Sequence, residues 1–152
     1  MTTLHFSIHI AAPRETVYRT MLADSTYRQW TAVFNPGGSY YEGSWDTGAT
    51  IRFLGPDDKG NIGGMVARIA ENRPSEFVSI QHLGFTANGV DDFDSEAVKA
   101  WTPAYENYTF VDEAGGTRLS IELESNEEHQ GMFQDTWPKS LEKLKELCEQ
   151  SV

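Results

Sequence analysis

The stretch RLSIELESNEEHQGMFQDTWPKSLEKLKELCEQ, residues 118–150, decides the fold because a strand pattern passes directly into a helix pattern. Leu119, Ile121 and Leu123 alternate with polar residues, which predicts a strand with one buried and one solvated face. The residues that follow carry an apolar stripe at spacings of three and four: Phe133, Trp137, Leu141, Leu144 and Cys148. Such a stripe is typical of an amphipathic helix. The stretch therefore predicts a sheet that is covered on one side by a C-terminal helix.

The predicted helix runs from Glu127 to Gln150 and would be about 36 Å long, enough to cross a whole sheet. Ser125 and Glu128 have the spacing of a capping box at its start. Pro138 lacks the backbone donor that a helix needs and clashes with the preceding turn. We therefore expect a kink or a restart of the helix over residues 134–137.

Upstream, residues 4–10 alternate between apolar and polar side chains, which predicts the first strand. A proline at the first helical position and apolar residues at helical spacing predict a helix over residues 13–23. A second short helix begins at Asp24 or Ser25 and extends through Trp30. Two short helices therefore follow the first strand.

Between residues 39 and 123, short apolar segments are separated by glycine, proline, asparagine and aspartate, which predicts antiparallel strands. The last two are joined by a hairpin at residues 112–116. The segment 87–100 matches no regular period and is predicted to be an insertion loop. The expected fold is α+β: a seven-stranded curved antiparallel sheet around a long C-terminal helix, in a single domain over residues 1–152.

Composition excludes several classes of partner. The 152 residues include 12 Lys and Arg against 23 Asp and Glu, a net charge of −11. This charge repels nucleic acid and anionic membrane surfaces, so neither is expected as a partner. The single cysteine, Cys148, cannot form an internal disulfide, and the first ten residues lack the features of a signal peptide. A cytoplasmic location is expected.

Three segments resemble the START-like or SRPBCC superfamily of helix-grip proteins: IHIAAPRETVYRTMLADSTYRQW (8–30), ENYTFVDEAGGTRLSIELE (106–124) and TWPKSLEKLKELCE (136–149). The sequence is most similar to the branch related to the C-terminal domain of the heat-shock-ninety ATPase activator. The resemblance extends from about Leu4 to Glu149. The resemblance implies a cavity between the long helix and the concave sheet. Relatives use this cavity for lipids, sterols, polyketides or plant aromatics, and in a few branches for cyclisation or dehydration.

Strand alternation indicates which polar side chains would face such a cavity. If Val78 and Ile80 point inward, then His82 does so too, and the alternation that turns Tyr108 inward also turns Glu106 inward. A carboxylate beside an imidazole and a phenol in an apolar pocket could orient a ligand or act as a general acid or base. The plainer alternative is that His82 is a core histidine and that Glu106 lies at a solvent-exposed end of its strand.

A second set of candidates would form an apolar wall for an aromatic or lipid-like guest. They are Trp45, Phe53, Trp101, Met132, Phe133 and Trp137. The same side chains could belong to the plain core, which we favour for Phe53 and Trp137. Trp101 and Met132 are better candidates for lining, because one borders the insertion and the other lies on the weakened first turns of the long helix.

Neither a metal nor a cofactor is expected. His5 and His9 share a strand face but lie about 13 Å apart, too far to share an ion. The acidic run at residues 91–94 lacks the glycine and the distal glutamate of a calcium loop. The sequence also lacks hydrolase and phosphate-binding motifs.

The expected function is the binding of a small apolar or aromatic molecule, with His82, Glu106 and Tyr108 orienting it. One alternative is a co-chaperone-like activator of a heat-shock-ninety-type ATPase, which would make a chaperone the partner. That family carries a separate N-terminal domain without a counterpart in this sequence, so we rank this alternative second. The other alternative is a cyclase or dehydratase that uses the same cavity, which requires the three polar residues to act in catalysis.

Overall fold

A computed structural model describes residues 1–150, which form eight strands and four helices. Strands β1 to β8 are Thr2–Ile10, Tyr40–Gly43, Thr50–Pro56, Ile62–Arg73, Phe77–Ala87, Val90–Asp92, Ala104–Glu113 and Gly116–Ser125. Helices α1 to α4 are Arg14–Leu22, Asp24–Trp30, Glu96–Lys99 and Glu127–Gln150. The predicted α+β order is confirmed: one strand, two short helices, further strands and a long C-terminal helix.

The strands form one curved antiparallel sheet in the order β1-β8-β7-β5-β4-β3-β2, and β6 pairs with β5 beside this path. Helix α4 follows β8 and packs against β1, α1 and α2. The buried faces of the central strands and the apolar stripe of α4 form one continuous core. The side of the sheet that faces α4 is therefore the side on which a cavity can form.

The prediction of an irregular loop over residues 87–100 is wrong in part, because this segment contains β6 and α3. The Asp92 carboxylate accepts hydrogen bonds from the backbone N–H groups of Asp94 at 3.1 Å and Ser95 at 3.0 Å. The Ser95 hydroxyl oxygen then accepts one from the Val98 N–H and caps α3. Elements of three and four residues are too short to show a period, and they depend on strand pairing and capping.

Helix α4 is continuous through Pro138, so the restart considered for residues 134–137 does not occur. The ring of Trp137 packs against Trp30 at a centroid distance of 6.0 Å and against Phe34 at 5.2 Å. Burial of this indole offsets the hydrogen bond that the proline removes, because a tryptophan contributes more apolar area than any other side chain. Tertiary packing thus decides the course of the helix at this point.

The start of α4 also differs from the predicted capping box. The side-chain oxygen of Asn126, not that of Ser125, accepts the backbone N–H of His129 at 3.1 Å. Ser125 instead donates its hydroxyl to the Asn126 carbonyl oxygen at 3.0 Å. Asparagine, like serine, is a favoured cap, so the sequence places the start of the helix correctly to within one residue.

Three further features bear on function. Burial raises the pKa of the Cys148 thiol to about 11, which keeps it protonated and unreactive at neutral pH. Within residues 1–150, no helix combines the length and the apolar character that a membrane span requires. In the same residues, no three His, Cys, Asp or Glu side chains are grouped so that they could hold a metal ion.

Candidate functional site

A cavity of about 350 Å³ lies between α4 and the concave face of the sheet. Its walls come from α2 and the segment after it, from β3, β4, β5, β7 and the end of β8, from Trp101 after α3, and from the first turns of α4. Eight of the nine residues predicted to orient a ligand or to form the apolar wall line it: Phe53, His82, Trp101, Glu106, Tyr108, Met132, Phe133 and Trp137. Their role in ligand binding remains a prediction.

Neighbouring strands bring the three polar candidates together. Strands β5 and β7 pair antiparallel with Ile80 opposite Glu106 and His82 opposite Ala104, so His82 and Glu106 are diagonal neighbours. His82 Nε2 lies 3.0 Å from Glu106 Oε1, and the Tyr108 hydroxyl donates a hydrogen bond to Glu106 Oε2. The side chains of His82 and Glu106 are only 2% and 13% exposed.

The hydrogen bonds indicate the charge state of this cluster. His82 Nδ1 is buried and has no hydrogen-bond partner among the described residues. An imidazolium would leave a charged N–H unpaired there, whereas a neutral ring with its proton on Nε2 leaves only a lone pair. We therefore assign the neutral form, with Nε2 donating to Glu106. The Glu106 carboxylate then accepts hydrogen bonds from two neutral groups and has no cationic partner in the cluster.

The Glu106 carboxylate affects the pKa values of two buried tyrosines, Tyr27 and Tyr108. Burial, and then the negative charge of Glu106, raise the pKa of Tyr27 and of Tyr108 above the ordinary value of 10.0. The hydrogen bond to Glu106 adds to the shift of the Tyr108 pKa, because it is made only by the protonated phenol. Both tyrosines therefore remain neutral in the folded protein, and Tyr108 donates its hydrogen bond to Glu106.

A raised phenol pKa predicts a loss of stability in alkali. The contribution is fully present below a pH of about 10 and is lost above it, because there the unfolded chain ionises and the folded chain does not. Each such group contributes a slope of about 1.4 kcal/mol per pH unit to the free energy of unfolding. Tyr108→Phe is expected to reduce the alkaline slope by this amount in urea denaturation, whereas Tyr105→Phe, at a more exposed site of the same strand, serves as control. Equal slopes for Tyr108→Phe and the unsubstituted chain would contradict the assignment.

An aromatic wall stands beside the polar cluster. The Trp101 ring stacks on Phe85 at 5.2 Å between centroids and on His82 at 5.3 Å, and it is 7% exposed. Its backbone N–H donates to the Val98 carbonyl oxygen, so α3 fixes its position. The segment predicted as a loop thus holds Trp101, the residue that follows it, in place as one wall of the cavity.

Trp45 is the one predicted lining residue that lies outside the cavity. It follows β2 and packs behind Phe53 at a centroid distance of 5.7 Å, and also against Tyr27 and Tyr41. Phe53 and Trp137 are both buried core residues, as favoured from the sequence, and both also line the cavity. Core and lining are therefore not exclusive roles in this fold.

Phe85 was not predicted to line the cavity, because a bulge interrupts the alternation of β5. In the pairing of β4 with β5, Ala67 lies opposite His82 and Val66 lies opposite Gly84, which leaves Leu83 as an extra residue. Such a bulge inverts the alternation, so Phe85 faces the cavity on the same side as His82. Tyr27 and Phe34 were missed as well, although Tyr27 lies on the buried face of the short amphipathic α2.

These features define the class of protein as a helix-grip domain, in which a curved antiparallel sheet and a C-terminal helix enclose an aromatic cavity. Residues 11–149 match the family model described as activator of Hsp90 ATPase homolog 1-like protein. The chain belongs to this family. The match confirms the resemblance to the START-like superfamily and to the branch of the heat-shock-ninety ATPase activator.

Solved structures share the fold at low sequence identity. A protein from Nitrosomonas europaea has a TM-score of 0.76 at 16% identity, over 98% of this chain and 95% of that one. An uncharacterised protein from Rhizobium leguminosarum has a TM-score of 0.73 at 19% identity, again over 98% and 95%. The solution structure of the Aha1 dimer from Colwellia psychrerythraea has a TM-score of 0.71 at 16% identity, over 98% and 97%. No curated protein matches the sequence.

Proposed function

We propose that the chain binds a small apolar or aromatic molecule in the cavity between α4 and the sheet. The observation that carries the proposal is a cavity of about 350 Å³ with aromatic walls and one compact polar cluster. This volume is within the usual range of small-molecule sites, about 300–1,000 Å³. Burial of apolar ligand surface would supply about 25 cal/mol per Å², and the polar cluster would orient the ligand.

The first turns of α4 provide access. Met132 lines the cavity and is also 45% exposed, so the cavity opens to solvent beside this side chain. Gly131 precedes it, and a side chain at that position would meet no atom within 4 Å. Few contacts hold this turn, which allows it to move as a ligand enters.

Titration of the labelled protein with palmitate, cholesterol and flavone tests the proposal by nuclear magnetic resonance. At least one of these is expected to shift the indole N–H signal of Trp101 and the methyl signal of Met132. The methyl signals of Val111, which is exposed on the outer face of β7, provide the internal control and should stay unchanged. Silence of the Trp101 and Met132 signals with these three molecules and with naphthylmethylamine would contradict a binding function.

Family membership favours a second candidate, the activation of an Hsp90-type ATPase. The test is to add the purified chain to the Hsp90 of the same organism and measure ATP hydrolysis. Stimulation that rises with concentration and saturates would support this function. An unrelated protein of similar negative charge serves as control, and no stimulation by the chain would remove this candidate while leaving the cavity proposal intact.

A further inference from the structure

We propose that the ligand of this cavity is an apolar amine in its protonated form, with the ammonium group bound against Glu106. This inference rests on the proposed binding function and specifies the chemical class of the ligand. It depends on three observations: the uncompensated charge of the Glu106 carboxylate, the absence of lysine and arginine from the cavity lining that the structure describes, and the aromatic rings that surround the cluster.

The charge of Glu106 is solvated by hydrogen bonds but is not neutralised. Its oxygens face His82 Nε2 and the Tyr108 hydroxyl, and the unpaired Nδ1 atom argues that His82 carries no charge. No lysine or arginine is among the described residues that line the cavity, whereas Glu124 adds a second carboxylate to the lining. The imidazole of His129 also lines the cavity, so a ligand cation would meet a negative site without a competing lysine or arginine.

The carboxylate also has unused acceptor capacity. An ionised carboxylate offers about four lone-pair sites, and the two hydrogen bonds from His82 and Tyr108 occupy two of them. An ammonium group donates up to three hydrogen bonds, and charged pairs of this kind form the stronger class of hydrogen bond. Because water is largely excluded from Glu106, such a pair would be screened little by solvent.

Aromatic rings pack around the two side chains, His82 and Tyr108, that contact this carboxylate. Tyr108 packs against Trp137 at a centroid distance of 6.3 Å, and His82 packs against Trp101 and Phe53 at 5.3 and 5.8 Å. Ring faces attract cations within about 6 Å of the centroid, most strongly where water is excluded. The net charge of −11 favours the approach of a cation in the same way, and it disfavours carboxylate ligands such as fatty acids.

Three probes with one ring system test the inference by isothermal titration calorimetry at neutral pH: naphthylmethylamine, naphthylmethanol and naphthoate. The protonated amine is expected to bind at least tenfold more tightly than the neutral alcohol, and the naphthoate anion most weakly. Glu106→Gln is expected to remove the preference for the amine while the alcohol still binds. Glu122→Gln, an exposed glutamate on the neighbouring strand β8, is the matched control and should keep the preference.

The possible failures are distinct. Equal binding of the amine and the alcohol by the unsubstituted chain would overturn the amine class and leave the cavity as a neutral binding site. Binding of none of the three would also overturn it, and the palmitate, cholesterol and flavone panel then decides the proposed function independently. If Glu106→Gln does not fold, as judged by circular dichroism, the comparison of the three probes on the unsubstituted chain still decides.

Discussion

Trp101→Ala is expected to lower the free energy of unfolding by about 3–5 kcal/mol and to abolish ligand binding in the cavity. The indole is buried between Phe85 and His82, and it closes one side of the cavity. Its removal would leave a void that the sheet cannot fill, and it would admit water to the polar cluster formed by His82, Glu106 and Tyr108. Urea denaturation measures the stability, and the methyl signal of Met132 reports on ligand binding.

Phe93→Ala is the matched control, because Phe93 lies in the insertion that Trp101 borders but is 46% exposed. Its effect on the free energy of unfolding is expected to remain within about 0.5 kcal/mol, with ligand binding unchanged. Similar losses of stability in both variants would show that Trp101 is not a wall of the cavity. Loss of stability in Trp101→Ala with unaltered ligand affinity would place the ligand elsewhere.

Gly64→Ala is expected to lower the free energy of unfolding by about 3 kcal/mol. Gly64 lies on β4 where this strand lines the cavity, opposite Leu54 on β3. An added Cβ would overlap the carbonyl oxygen of Phe53 and lie 2.8 Å from its carbonyl carbon. Because the overlap is with backbone, no side-chain rotation relieves it, and the two strands must separate.

Gly131→Ala is the same chemical change, but it is expected to alter the free energy of unfolding in the opposite direction. This glycine lies in α4, where an added Cβ would meet no atom within 4 Å, so the substitution is expected to raise the free energy of unfolding by about 0.5–1 kcal/mol. Chemical denaturation of both variants measures the difference. A Gly64→Ala protein as stable as the unsubstituted chain would show that β3 and β4 do not approach each other as closely as the structure has them.

Strands β5 and β7 pair in an unbroken register from Val78 opposite Tyr108 to His82 opposite Ala104, so their side chains alternate between the two faces. Alternation along the sequence could therefore place His82, Glu106 and Tyr108 in one cluster. Phe85 could not be derived in this way, because the extra residue Leu83 inverts the alternation just beyond His82. A bulge is fixed by pairing with a distant strand, and a local pattern does not record it. Trp45 was misplaced for the related reason that it lies outside any strand and has no alternation to orient it.

The sequence by itself determined the sheet, the long C-terminal helix and the faces that they bury, because periods of 2 and 3.6 residues are local properties of the chain. The tertiary structure alone decided that α4 continues through Pro138, that residues 87–100 form a short strand and a helix, and that a hollow remains beneath α4. Each of these depends on contacts between segments that are far apart in the chain. Whether apolar faces meet without filling the space between them is a matter of shape, and hydrophobic periodicity carries no information about it.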